Sequence, residues 1–290
     1  MSFVITTLSP ETVVQVSDTR LSSLVDGSVM AEDLRKSLIV RGTKGQFVVG
    51  WVGLATTDQG HRTADWLFQV LCDMDVVQLS PGEVVGRLTK LASDQFKGLH
   101  AKDKRCEFVL AGWDDSQPFS GVVSNYLVLD VSLESDCGLR HHLPSYKESA
   151  VAMPEFQGSV ERFKNLTDRH YSVRVLGDCD GSKLKTSLRG LEHLMKARAP
   201  AARISQACRQ IALEAAGNSS TINKNLIAVE MERRGQAHCV YYSEEGTETM
   251  LMPDTISMEG GATQMTLSAT VSGDQAKVRI RGKIRKRVER

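Results

Sequence analysis

The sequence predicts an α+β protein built as a four-layer α-β-β-α sandwich, and three observations lead there. Elements come in the order strands, two helices, strands, two helices, strands, which is grouping rather than regular βαβ alternation. The strand groups are β-branched runs broken by glycine-rich turns, the signature of antiparallel hairpins. Each helix carries a single apolar face, and two such pairs suffice to cover the outer faces of two stacked sheets.

Taken in order, Val13, Val14 and Val16 form a strand that runs into Ser17-Asp-Thr-Arg20. Lys36-Ser-Leu-Ile-Val-Arg41 and Gln46-Phe-Val-Val-Gly-Trp-Val52 flank the turn Gly42-Thr-Lys-Gly45. Between His61 and Asp73, Trp66, Leu67, Val70 and Leu71 recur at helical spacing. Ser80-Pro-Gly-Glu83 then supplies an N-cap, a proline in the first turn and a capping-box glutamate, with Val85, Leu88, Ala92 and Phe96 as the buried stripe. Strands are expected at 106–113 and 122–131, separated by the turn-rich Asp114-Asp-Ser-Gln-Pro118. The segment from 133 to 171, with Pro144 and Pro154 and mixed charge, reads as an irregular or partly helical insertion. Ser172 to Leu176 follows as a strand and Lys183 to Arg198 as a helix. Pro200 opens a helix with Ile204, Cys208, Ile211 and Ala215 on one face, and Gly217 is placed to end it. Strands close the pattern at 225–231, 237–242 and 248–252.

Composition agrees with one large core. Among 290 residues 41% are hydrophobic, 24% charged and only 7 are Pro, which excludes a disordered or collagen-like chain. No stretch approaches about 18 uncharged apolar residues, and Met1-Ser-Phe-Val-Ile-Thr-Thr has neither the basic lead nor the apolar run of a signal peptide. A cytoplasmic protein with no membrane partner is expected. The cysteines at 72, 106, 137, 179, 208 and 239 have no CxxC pair, so they read as reduced packing residues. Charge is uneven: residues 274–290 carry a local +6 against a net +1 for the whole chain. One domain over 2–268 with a basic extension over 269–290 is the simplest division.

The chemistry concentrates near residue 2. Initiator methionine is normally removed before a small residue, so Ser2 can carry a hydroxyl and an α-amine together. A serine hydroxyl needs a neighbouring base, and a free α-amine, with a pKa of about 7.7–8.0, suits that task near neutral pH. Counting Ser2 as the first residue, Asp18 is the seventeenth and Arg20 the nineteenth; Lys36 opens the next strand and Gly50 follows it by 14.

This pattern resembles the β-subunit of the proteasome and its bacterial relatives among the N-terminal nucleophile hydrolases. There an N-terminal Thr is followed by Asp-x-Arg, a Lys opening the third strand and a Gly ending the fourth. Here serine replaces threonine, and the segment between Arg20 and Lys36 is two residues longer. The run Phe108 to Asp114 followed by Tyr126 to Asp130 is also similar to the family's central hairpin. The family's Gly-Ser-Gly-Ser element finds its nearest match in Gly177-Asp-Cys-Asp-Gly-Ser182, and its Asp-x-x-Ser element in Asn218-Ser-Ser-Thr221. The resemblance covers 2–130 well and 172–242 loosely.

The resemblance implies a peptidase or amidohydrolase with Ser2 as nucleophile. Lys36 would favour the alkoxide, Asp18 would hold Lys36, Arg20 would brace the site, and Gly50 would offer its N–H to the oxyanion, with Ser182 ordering the nucleophile. It further implies a peptide or protein substrate, a homo-oligomeric ring and an ATP-dependent unfoldase partner, with no cofactor and no metal. The rival classes are a noncatalytic relative kept for assembly or interaction, and a small-molecule amidase.

Other features read blandly. Thr6 and Thr7 break the register to Asp18 and are strand residues. His141-His142, near Asp136 and Cys137, lacks a second ligand pair and reads as a loop. Trp51, Trp66 and Trp113 lie in apolar runs and read as core. The tail Lys277-Val-Arg-Ile-Arg-Gly-Lys-Ile-Arg285 alternates charge with β-branched residues, as a strand with one basic face would. Nucleic acid is the less favoured partner for it, because no aromatic interleaving accompanies the charge.

Overall fold

Strand and helix formers sort in space much as the pattern dictates. The computed structural model describes residues 3–22, 28–31, 34–57, 59–101, 103–115, 117–126, 130–134, 140–144, 153–163, 172–177, 179, 183–259 and 262–266. The basic tail beyond 266, Cys137 and Asp136 lie outside the described residues.

In chain order the elements are β1 (Phe3–Leu8), β2 (Thr12–Asp18), β3 (Leu21–Ser22), β4 (Val29–Ala31), β5 (Ser37–Arg41), β6 (Gly45–Gly53), α1 (Thr63–Asp73), α2 (Pro81–Lys97), β7 (Cys106–Asp114), β8 (Gln117–Ser124), β9 (Asp130–Glu134), β10 (Arg140–Pro144), β11 (Gln157–Arg162), β12 (Ser172–Gly177), α3 (Lys185–Lys196), α4 (Ala201–Asn218), β13 (Leu226–Glu232), β14 (Ala237–Tyr242), β15 (Glu248–Leu251), β16 (Thr255–Glu259) and β17 (Ala262–Thr266). Among the described residues one sheet runs β15-β14-β13-β2-β1-β12-β10-β9 and a second runs β11-β8-β7-β6-β5-β16-β17. The protein is thus α+β, with mixed sheets: β10 pairs with β12 and β16 with β5 in parallel, against antiparallel pairing elsewhere.

Apolar side chains form separate clusters. Phe47, Trp51 and Phe108 of the second sheet pack with Leu71 of α1 and Leu88 and Phe96 of α2. Phe3, Ile5, Val14 and Val175 of the first sheet pack with Leu191 of α3 and Ile211 of α4. Val13 and Ile227 of one sheet meet Ile39, Val48 and Ala111 of the other. Each such fully buried side chain contributes about 1.5–3 kcal/mol relative to exposure. Among these, Phe47 and Phe119 meet edge to face at 5.7 Å.

The start of α2 follows the sequence closely. Ser80 accepts from the Glu83 amide, and the Glu83 carboxylate accepts from the Ser80 amide, closing the capping box. Those hydrogen bonds from Ser80 hold the Glu83 carboxyl down at about 2.

Four expectations need correction. The segment 133–171 is not helical where described: it supplies the end of β9 together with β10 and β11. β9 and β11 are edge strands, and β11 is largely exposed, so no alternation of apolar residues betrays it. The expected strand over 122–131 is instead two strands in different sheets, β8 and β9, because the Asp114↔Gln117 register closes a tight turn that starts β8 earlier. The chain then leaves the sheet at Asn125, whose Oδ1 accepts the Cys106 amide. Gly217 does not end α4, which continues to Asn218. Finally, β16 and β17 lie beyond the last expected strand and extend the second sheet past β5.

Candidate active site

The site lies where β1 begins, β2 ends and β5 begins. Asp18 is the last residue of β2, paired with Leu226 of β13, and it is fully buried. Lys36 immediately precedes β5 and is also fully buried. Its Nζ donates to Asp18 Oδ1 at 2.6 Å and to the Arg20 carbonyl at 2.8 Å. Among the described residues these are its two hydrogen-bond acceptors. The Phe3 amide donates to the same Asp18 Oδ1 at 2.7 Å, and the Arg20 amide donates to Oδ2 at 3.2 Å.

An ammonium this deep is costly. Burial pushes the Lys36 pKa below the ordinary 10.5, and the adjacent Asp18 carboxylate opposes that shift by charge and by hydrogen bond. The ammonium therefore holds its proton less tightly than a surface lysine does.

Backbone and side chains of the loop after α4 support this corner. Thr19 donates its amide to Asn223 Oδ1 at 3.2 Å and to the Asn225 carbonyl at 3.2 Å, while Asn223 Nδ2 donates to Thr19 Oγ1. Arg20 donates to the Ser220 carbonyl at 3.0 Å. Thus Asn218-Ser-Ser-Thr221 does reach the site's border, through the backbone of Ser220. Asn223 and Asn225 are supporting residues that sequence reasoning missed. An Asn-Lys-Asn ahead of a strand is a turn signal by itself, and nothing local ties it to Thr19, some 204 residues away.

Gly50 stands inside β6, opposite Ser37 on one side and Val109 on the other. The Trp51 amide donates to the Lys36 carbonyl at 3.3 Å, so Gly50 is one residue from the backbone that carries Lys36. A Cβ at Gly50 would lie 2.7 Å from the carboxamide of Gln15, which is buried between the sheets and donates to Thr6 Oγ1 at 2.9 Å. Gly177, opposite Phe3, has a φ of 115°, open to glycine alone at low cost. Ser2 and Ser182 lie outside the described residues. The structure therefore brings together Asp18, Arg20, Lys36 and the neighbourhood of Gly50.

No protein-family model matches the chain, and no curated protein matches it. Solved structures do. The chain is similar to Anbu (ancestral beta-subunit) from Yersinia bercovieri, with a TM-score of 0.51 and 14% identity over 79% of this chain and 82% of that one. It is similar to the helical assembly of the Anbu complex from Pseudomonas aeruginosa, with a TM-score of 0.52 and 14% identity over 84% and 88%. It is also similar to an Anbu (Gly-1) mutant from Hyphomicrobium sp. strain MC1, at 0.50 and 11% over 86% and 87%. The fold is proteasome-like. The resemblance to the proteasome β-subunit itself is corrected by these matches, since Anbu proteins are proteasome-like but form a distinct family.

The remaining expectations fall as follows. Among the described residues no group of three His, Cys, Asp or Glu side chains could hold a metal ion. His141 and His142 belong to β10 rather than a loop. Trp51 and Trp113 are buried, and Trp66 packs against Phe96 and Phe108. Cys106, Cys208 and Cys239 are buried free thiols and Cys179 is buried; burial raises the pKa of Cys106 and Cys208 and lifts that of Cys239 to about 11. Among the described residues no helix is long and apolar enough to cross a membrane.

Proposed function

We propose that the chain is an N-terminal-serine hydrolase of amide bonds, a peptidase or amidohydrolase, carried on an α-β-β-α layered fold and acting as a homo-oligomer. One observation carries the reading: the amide of Phe3, the residue after Ser2, and the Lys36 ammonium both donate to Asp18 Oδ1 in a fully buried corner. With Met1 removed, the Ser2 α-amine takes the Oγ proton. Lys36, whose third ammonium hydrogen has no acceptor among the described residues, stabilises the oxygen that attacks the substrate carbonyl. Arg20 braces the Lys36 contact through its carbonyl, and Ser182 orders the amine. The C–N bond breaks as the amine leaves with the proton, and water then hydrolyses the Ser2 ester. The helical assembly of the Pseudomonas Anbu complex supports an oligomer here.

A noncatalytic assembly or interaction module is the second reading, and one observation favours it. Because Trp51 bonds to Lys36, alternation along an antiparallel strand turns the Gly50 N–H toward Val109 and into the ladder. Glycine would then be present at 50 because Gln15 leaves no room for a Cβ.

Turnover separates the two. The catalytic reading expects wild type to cleave unfolded casein or short acyl-amides, and Ser2→Ala and Lys36→Met each to lose on the order of 10²–10⁴-fold. Equal, background rates for wild type and Ser2→Ala on both substrate classes would establish the noncatalytic reading instead.

A further inference from the structure

At the opposite end of the same strands, three turns border an open cavity of about 490 Å³. Lys36 precedes β5 and Arg41 ends it; Leu226, paired with Asp18, begins β13, and Arg233 and Arg234 follow its end. Arg41, Arg233 and Arg234 all line this cavity, with Gln46, Trp113 and Asp115.

The frame is held together independently of any ligand. Gln46 Nε2 donates to the Glu232 carbonyl at 3.1 Å, which ties the β5–β6 turn to the β13–β14 turn. The buried Trp113 donates its indole N–H to the Pro10 carbonyl at 2.9 Å and so fixes the β7–β8 turn to the β1–β2 connection. The charge on this frame is not balanced. Among the described residues Arg41 and Arg234 have no ion-pair partner, and Arg233 has only Glu11 at 3.9 Å, a pair whose carboxylate is 74% exposed. Asp115 is the one carboxylate in the lining.

Guanidinium groups present paired donors that match the oxygens of phosphate and carboxylate, and several in one recess favour a multiply charged anion over a single charge. The volume is that of a small-molecule site. We propose that this cavity binds a small polyanion carrying phosphate or carboxylate groups, at a site remote from Asp18 and Lys36 and independent of the hydrolase reading.

Calorimetric titration of the full chain with inorganic pyrophosphate and, separately, with citrate, both at constant ionic strength, tests the proposal. Saturable binding of at least one is expected; the tighter of the two identifies the phosphate or the carboxylate class. Arg41→Gln/Arg234→Gln should weaken it tenfold or more. Asp115→Asn should strengthen it several-fold: it removes the lining carboxylate at a φ of 42°, a conformation asparagine accepts, so the frame is kept. Absence of saturable binding by either anion, or equal affinity in wild type and both variants, would overturn the proposal.

Discussion

Asp18 Oδ1 accepts from Lys36 Nζ at 2.6 Å, and both side chains are completely buried. That one oxygen also accepts the Phe3 amide, so β1, β2 and the start of β5 converge on a single acceptor. Desolvating two charges costs several kcal/mol for each ion, and their attraction offsets this only when the remaining hydrogen bonds are made. Here both carboxylate oxygens are used and two ammonium hydrogens are placed.

Removing one partner should cost far more than removing both. Asp18→Asn leaves a buried ammonium without its counter-charge, and urea unfolding should record a loss of about 3–5 kcal/mol. Asp18→Asn/Lys36→Met should lose less than the sum of the single variants. Additive losses would mean that the two groups are not energetically coupled.

The lowered Lys36 pKa fixes the sign of a pH effect. Between its folded pKa and the ordinary 10.5, the unfolded chain holds a proton that the folded chain has released. Stability relative to Lys36→Met should therefore rise with pH through that window and be level below it. If Lys36 acts as an ammonium, the alkaline limb of turnover should fall at a pH below 10.5. Unfolding free energies and rates measured across the alkaline range check both.

Gly50→Ala should destabilise by about 1–3 kcal/mol, since its Cβ meets the Gln15 carboxamide at 2.7 Å and Gln15 cannot yield without breaking its bond to Thr6. Introducing Gln15→Ala alongside it should recover part of that loss. A double-mutant cycle from urea curves measures the coupling.

Ser80→Ala should cost about 1 kcal/mol by removing the cap of α2. It should also raise the Glu83 pKa part of the way from about 2 toward ordinary carboxylate values, because the Ser80 hydroxyl bond is lost while the larger contribution, from the backbone amide of residue 80, is kept. NMR titration of the Glu83 carboxyl checks this.

What could be read from the sequence was whatever short-range chemistry spells out. Ser80-Pro-Gly-Glu83 names its own capping box, and Asp18 and Lys36 were located by offset and meet at the site. The edge strand β11 was hidden because an exposed strand has no need of apolar alternation. Asn223 was hidden because its partner Thr19 is distant in sequence and the bond exists only once β2 and β13 pair. Gly50 was legible only by its offset from Lys36; that a Cβ is excluded there was hidden, because the neighbour that excludes it, Gln15, comes from the other sheet. The resemblance to the proteasome β-subunit itself was a misreading, because the chain is similar in fold to Anbu proteins, a distinct proteasome-like family.

Catalysis as proposed requires Ser2 to become an N-terminal nucleophile beside the Asp18–Lys36 pair. Intact-mass spectrometry of the purified chain, before and after exposure to a β-lactone, tests it most directly. A mass lacking Met1 and a single covalent adduct on wild type that is absent from Ser2→Ala are expected. A chain that retains Met1, or an adduct that persists in Ser2→Ala, would contradict it.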